Sequence, residues 1–271
     1  MMYQGDMAND GEGLILNDEN YIKLVSDFPI TKKFFKRYYG GNEYLKNIKR
    51  WCIWCDDKDY EFLNKIDPIR KMFDTTKKHR LNSKREETKK YADYPYKFIQ
   101  IRKQFKNAII ITTPTSQRRL YLPVGIMDKD SIITAPNQVI YSGSLKTFSI
   151  LSSRMHLLWL KTVGGRLRQD FRYSSKLVYN TFPFNIEDKK TDKKLESLAL
   201  ELLDDREKYS DKTISELYDP NKMPRSLLNC HKNIDEVFEH TYKSAPFKSD
   251  EERLEYLFSL YKKITGANVL I

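Results

Sequence analysis

Residues 180–194 read NTFPFNIEDKKTDKK, a polar linker around Pro183, and the character of the chain changes across them. Before this stretch, short runs rich in Ile, Val and Tyr alternate with amphipathic segments. After it, only helical patterns remain, predicted over 193–209, 221–243 and 249–265. The last opens with Ser249 and Glu252 at capping-box spacing and stops at Gly266. Strands and helices followed by helices alone predict an α+β fold: a mixed domain with a small sheet, then an all-α domain.

Working back from the linker, SLKTFSILSSRMHLLWLKTVGGRL (144–167) places Phe148, Leu151, Met155, Leu158 and Trp159 at helical spacing, with Gly164 and Gly165 as the stop. His156 within it reads as a core or interface imidazole. Three β-type runs precede it, NAIIITT (107–113), RRLYLPVGIM (118–127) and SIITAPNQVIYS (131–142). RWCIWC (50–55) reads as a further strand, so Cys52 and Cys55, flanked by Trp51, Ile53 and Trp54, belong to an aromatic strand rather than a zinc knuckle. Gly40 and Gly41 predict a helix stop after the aromatic and basic run 31–39. Pro68 to Tyr91 predicts one long polar helix, ended ahead of Pro95. The Gly-, Asp- and Asn-rich opening predicts loop. The domain reading is a connector over 1–13, a mixed domain over 14–185 and a helical domain over 186–271.

The net charge of +11 is uneven. Lys plus Arg against Asp plus Glu stand at 0 to 3 over residues 1–13, 33 to 16 over 14–185 and 15 to 18 over 186–271. A basic middle joined to a mildly acidic tail predicts a region that faces nucleic acid beside one with another task. No apolar run is long enough to span a membrane, and the N-terminus lacks the pattern of a signal peptide. With three scattered cysteines, these features place the chain in the cytoplasm.

Catalytic patterns are not evident. There is no glycine-rich phosphate loop, no G-x-S-x-G elbow and no H-E-x-x-H, and the four histidines lack metal-ligand spacing. Asp56, Asp57, Asp59 and Glu61 leave a rival reading, an independent magnesium-dependent nuclease. A second rival is a basic docking protein for an acidic partner.

The stretch GGRLRQDFR (164–172) carries the chemistry. Arg pairs with guanine O6 and N7, and Asp accepts from the cytosine N4 amino group, so a neighbouring cation and carboxylate can read both halves of one G·C pair. As a single strand, the run would put Arg166, Arg168, Asp170 and Arg172 on one face, with Leu167 and Phe171 toward the core. The plainer alternative is a surface strand with a weak Arg168–Asp170 ion pair.

ILSSRMHLLWLKTVGGRLRQDFRYSSKLVYNTFPF resembles the target-recognition region of the MmeI-like family, bacterial enzymes that join an endonuclease, an adenine-specific DNA methyltransferase and a target-recognition domain. NDGEGLIL, RWCIW, RLNSKRE, TSQRRLYLPVGIMD, LYDPNKMPRSLLNCHKNID and FKSDEERLEYLFSLY follow in the family's order. The resemblance implies double-stranded DNA as partner, together with a methyltransferase domain of the same parent chain or a partner subunit. S-adenosylmethionine, and magnesium if a nuclease is present, would serve that parent, and this chain would hold no cofactor and catalyse nothing alone. It further implies that Arg168, Asp170 and Arg172 read bases, with Arg168 on guanine and Asp170 on its cytosine. Asn137 or Gln138 would read adenine. Arg118 and Arg119, with Ser116 beside them, and Arg166 would hold phosphates. Arg80, Lys84, Arg85, Lys89 and Lys90 would supply salt-sensitive affinity, or their helix would pack on the methyltransferase.

Overall fold

A computed structural model describes residues 1–102, 106–184 and 189–266, so the centre of the linker, 185–188, lies outside the described residues. The fold is α+β and divides into two compact units. One comprises Gln4–Gln104 with Asp128–Asn137. Its sheet runs Ile15–Asn17, Arg50–Ile53, Phe35–Tyr39, Ser131–Ile133, the last strand parallel to its neighbour and the others antiparallel. Phe35 faces Ile53 across the ladder and Arg37 faces Trp51, on which Tyr21 stacks at 4.0 Å. The helix Asp67–Leu81 closes the core with Ile69, Phe73 and Thr76, spaced four and three apart as one helical face requires. Each fully buried Ile or Phe contributes roughly 1.5–3 kcal/mol.

Two expectations change in this unit. The predicted helix over 68–91 ends at Leu81; a short helix Glu86–Lys89 and a 3-10 turn Lys90–Asp93 follow. Ser83 Oγ accepts from the Arg85 amide at 3.1 Å, one of the local side-chain bonds by which Ser and Asn draw the backbone out of a helix. The run before Gly40 is the strand Phe35–Tyr39, and Gly41 begins a short helix instead of stopping one. The opening loop is built into the unit: Asp6, Ala8 and Asp10 are buried, and Asp10 Oδ2 accepts from the Leu14 amide at 2.7 Å.

The other unit comprises Met1–Tyr3, Phe105–Met127 and Gln138–Ile271. Asn107–Ile111 and Gln138–Tyr141 pair antiparallel within a four-stranded sheet. The helical pattern read within 144–167 is two helices, Leu145–Leu151 and Arg154–Val163, because Ser153 Oγ accepts from the His156 amide and starts a new helix. Lys189–Glu207, Arg225–His240 and Asp250–Thr265 follow. Ser249 caps the last helix through the Glu252 amide, and Gly266 ends it at φ 66°. Trp159 meets Phe182, Phe258 and Tyr261, so the late helices share one core with the segments before the linker. The compact units therefore cut across the chain-order segments read from composition. No helix among the described residues is long and apolar enough to cross a membrane.

Candidate nucleic-acid interface

The run 165–172 is a hairpin and not the single strand predicted. Gly165–Leu167 pairs with Asp170–Arg172 in the register Gly165 to Arg172, Arg166 to Phe171 and Leu167 to Asp170. Arg168 and Gln169 form the two-residue turn, with Arg168 in the left-handed region at φ 58°. Such turns favour Gly or Asn, and an Arg there costs about 1 kcal/mol. What it gains is an exposed guanidinium at the tip of the hairpin. Facing side chains of the ladder share a side, so Arg166 lies with Phe171, its guanidinium 4.6 Å from the ring. Phe171 is buried as expected. Leu167 is 53% exposed, and the pairing sets it beside Asp170 on the face away from the core. Arg166 thus leaves the predicted face, on which Asp170 and Arg172 remain.

Beneath the tip the hairpin is firmly held. Asp170–Arg172 pairs with Pro114–Thr115, and the Tyr173 amide donates to Thr113 O at 2.8 Å. The Tyr173 hydroxyl meets His156 Nε2 at 2.8 Å, both residues buried. Burial pushes the His156 imidazole down to about 3, so it is neutral at neutral pH and the contact is an uncharged hydrogen bond. The tyrosine that anchors the hairpin carries no charge or motif, so the sequence alone does not mark it.

The remaining predicted contacts divide by burial. Arg118 is exposed, and its amide donates to Ser116 Oγ at 3.4 Å. Arg119 is turned inward, 8% exposed, with Nη1 donating to Thr115 Oγ1. Asn137 and Gln138 are buried as well, and Asn137 Nδ2 donates to Thr134 O at 2.9 Å, so neither presents its amide edge to a base. Arg80 departs furthest from expectation. It is fully buried, and its guanidinium donates to the carbonyls of Ala8, Asn9, Tyr91, Tyr94 and Lys97, leaving no face for a phosphate. Desolvation pushes it down to about 10. Lys84, Arg85, Lys89 and Lys90 are exposed, with Lys89 bonded to Glu86 at 2.8 Å and Lys90 near Glu87 at 4.0 Å.

Three of the four carboxylates of the rival nuclease reading, those of Asp56, Asp57 and Asp59, are occupied locally. Asp56 and Asp59 form a capping box at the helix Asp57–Leu63. Asp57 accepts from Tyr96 and pairs with Lys97, which holds its carboxyl below the usual range. Among the described residues no three His, Cys, Asp or Glu side chains converge to hold a metal ion.

Comparison with known proteins places the whole chain in one family. The family model described as the MmeI target recognition domain matches residues 1–186, and that of the MmeI C-terminal domain matches 186–269. DNA methyltransferase A of Bacillus subtilis (strain 168) is 35% identical over 264 residues, covering 97% of this chain and 30% of that protein. The solved structure of the Type IIL restriction-modification enzyme MmeI in complex with DNA superposes with a TM-score of 0.92 at 31% identity, over 98% of this chain and 36% of that one. The chain thus spans about a third of the length of these relatives.

Proposed function

The chain belongs to the MmeI family, and from that premise we propose that it reads a short sequence in duplex DNA on behalf of an adenine-specific methyltransferase. The observation that carries this reading is the hairpin 165–172, which thrusts Arg168 outward and sets Asp170 and Arg172 on its outer face over a buried, hydrogen-bonded base. Arg168 donates to guanine O6 and N7, Asp170 accepts from N4 of the paired cytosine, and Arg172 contacts a neighbouring base. Arg118, Lys84 and Arg85 meet phosphates, which fix register without reading sequence.

The duplex is held while the target adenine is turned out into a methyltransferase pocket supplied by the parent chain or a partner subunit. S-adenosylmethionine belongs to that pocket, and magnesium to a nuclease where the parent carries one. This chain by itself catalyses nothing, and its setting is the cytoplasm.

Selection from a pool of randomised duplexes at two salt concentrations tests the reading. Wild type should enrich a motif of a few base pairs. The combined Arg168→Glu and Asp170→Arg exchange should change one position of it, by about 1–3 kcal/mol of discrimination, with the melting temperature unchanged. Sequence-blind, merely salt-sensitive binding by both would refute base reading by this chain.

A further inference from the structure

The two-residue turn sorts the hairpin's side chains between two faces. Residues directly opposed across an antiparallel ladder project the same way, and successive residues project oppositely. Gly165, Leu167, Asp170 and Arg172 therefore share the outer face, while Arg166 and Phe171 share the inner one. Phe171 is 5% exposed and Leu167 53%, while Arg166 lies over the Phe171 ring with its side chain still exposed. Single exposed leucines are ordinary on a protein surface, and Leu177 and Leu200 are as exposed as Leu167. What distinguishes Leu167 is its company. It lies beside Asp170, next to the outermost Arg168, and with Gln169 these residues border an open concavity of about 560 Å³.

We propose, building on the assignment of this hairpin as the base reader, that Leu167 is a specificity determinant that packs against the C5 methyl of a thymine. An aliphatic side chain has no donor or acceptor, so phosphates and the polar edges of bases offer it nothing. The apolar group a base pair presents in the major groove is the thymine methyl. The distance between facing side chains in a ladder, about 4.5–5.5 Å between Cβ atoms, is of the order of one base-pair step, roughly 3.4 Å. Leu167 therefore reads the base pair next to the one whose cytosine Asp170 contacts. The apolar surface it leaves in water in the free protein is covered when the duplex seats. Gly165 leaves Arg172 unobstructed at the other end of the same face, so the apolar contact of Leu167 lies across the ladder from two charged side chains, Asp170 and Arg172.

The experiment uses the full chain and duplexes carrying its selected motif, with each thymine replaced in turn by deoxyuridine. That exchange removes the methyl and leaves every hydrogen-bonding group in place. Wild type should lose about three- to fivefold in affinity at one thymine, adjacent to the base pair that the Arg168 and Asp170 exchange switches. Leu167→Ala should bind the thymine and uracil duplexes equally, and Leu167→Met should keep the preference. Because Leu167 is outside the core, neither substitution should move the melting temperature. The assignment is overturned if no thymine is sensitive, if the sensitive thymine lies elsewhere in the motif, or if Leu167→Ala still discriminates. Failure to select any motif would be a different result, removing base reading itself and this contact with it.

Discussion

Two basic stretches, 77–97 and 164–172, look alike as strings of letters, yet the fold uses their arginines in opposite ways. In the first, Arg80 is fully buried and bonded to five backbone carbonyls, so it ties the opening loop and the 91–97 turn to its own helix. In the second, Arg168 stands exposed at the tip of a hairpin, held there in a left-handed turn against local preference. A buried guanidinium satisfies the fold's own acceptors, whereas an exposed one keeps its donors for a partner. Residue type does not separate these fates, and position on the element does.

Of these side chains, the buried Arg80 is the costliest to lose. Arg80→Ala strips five carbonyls of their donor and should lower stability by about 3–5 kcal/mol, the range for removing one member of a buried charged network. Arg80→Lys should recover little, since a single ammonium cannot span a planar fork's partners. Urea unfolding of the three proteins measures this. If Arg80→Ala kept the wild-type midpoint and instead weakened DNA affinity, Arg80 would belong with Arg168.

A third charged side chain sharpens the distinction between charge spent on the fold and charge offered to a partner. Asp235 lines a cleft of about 620 Å³ with Tyr121, Arg154, Glu239 and Arg253. It accepts from the Tyr121 hydroxyl at 2.6 Å and the Arg154 amide at 2.6 Å. Desolvation, helped by the nearby Glu239, raises its carboxyl from 3.8 to about 7 despite those two bonds. Its contribution to stability is therefore complete below the ordinary carboxylate range and is lost as pH rises through about 7. Asp235→Asn keeps both contacts, accepting from the amide and donating to the tyrosine. Between pH 5 and pH 8 wild type should lose about 2 kcal/mol relative to the variant, less than the full shift would give because water reaches the cleft. Parallel urea midpoints for the two proteins across that range would show that Asp235 titrates as an ordinary surface acid.

Much of the architecture was legible because it rests on local patterns. Ser249 and Glu252 announced the last helix, and Gly266 its end. The split at Ser153 and the break after Leu81 were harder to read, since a serine says only that the backbone can leave a helix, and tertiary packing decides whether it does. Arg80 did leave a trace: Ile69, Phe73, Thr76 and Arg80 follow one another at four, three and four, so the arginine falls on the stripe that faces the core. Its charge obscured that pattern. The hairpin left none, because Arg168 and Gln169 carry neither the Gly nor the Asn that marks a two-residue turn. Arg168 and Asp170 are proposed from family resemblance and charge logic, while the assumption of one continuous strand puts Leu167 on the wrong side. The inward turn of Asn137 and Arg119 is set by Thr134 and Thr115, partners that only the folded backbone identifies.

The smallest effects fall on the exposed part of the first stretch, and they ask whether it shares any task with the hairpin. Lys84 and Arg85 are exposed and make no ion pair among the described residues, whereas Lys89 is bonded to Glu86. Exposed substitutions of this kind change stability by within about 0.5 kcal/mol, so DNA binding is the informative readout. A cation that neutralises a phosphate releases counterions, and its loss lowers the slope of log affinity against log salt by roughly 0.9. Lys84→Ala and Arg85→Ala should each do this without altering the selected motif. Lys89→Ala should do less, because Glu86 already offsets part of its charge and loses its own partner in the variant. Slopes unchanged in all three would mean that duplex DNA does not reach this segment. Its exposed charge would then face another protein surface, and sequence reading and affinity would both rest with the unit that carries the hairpin.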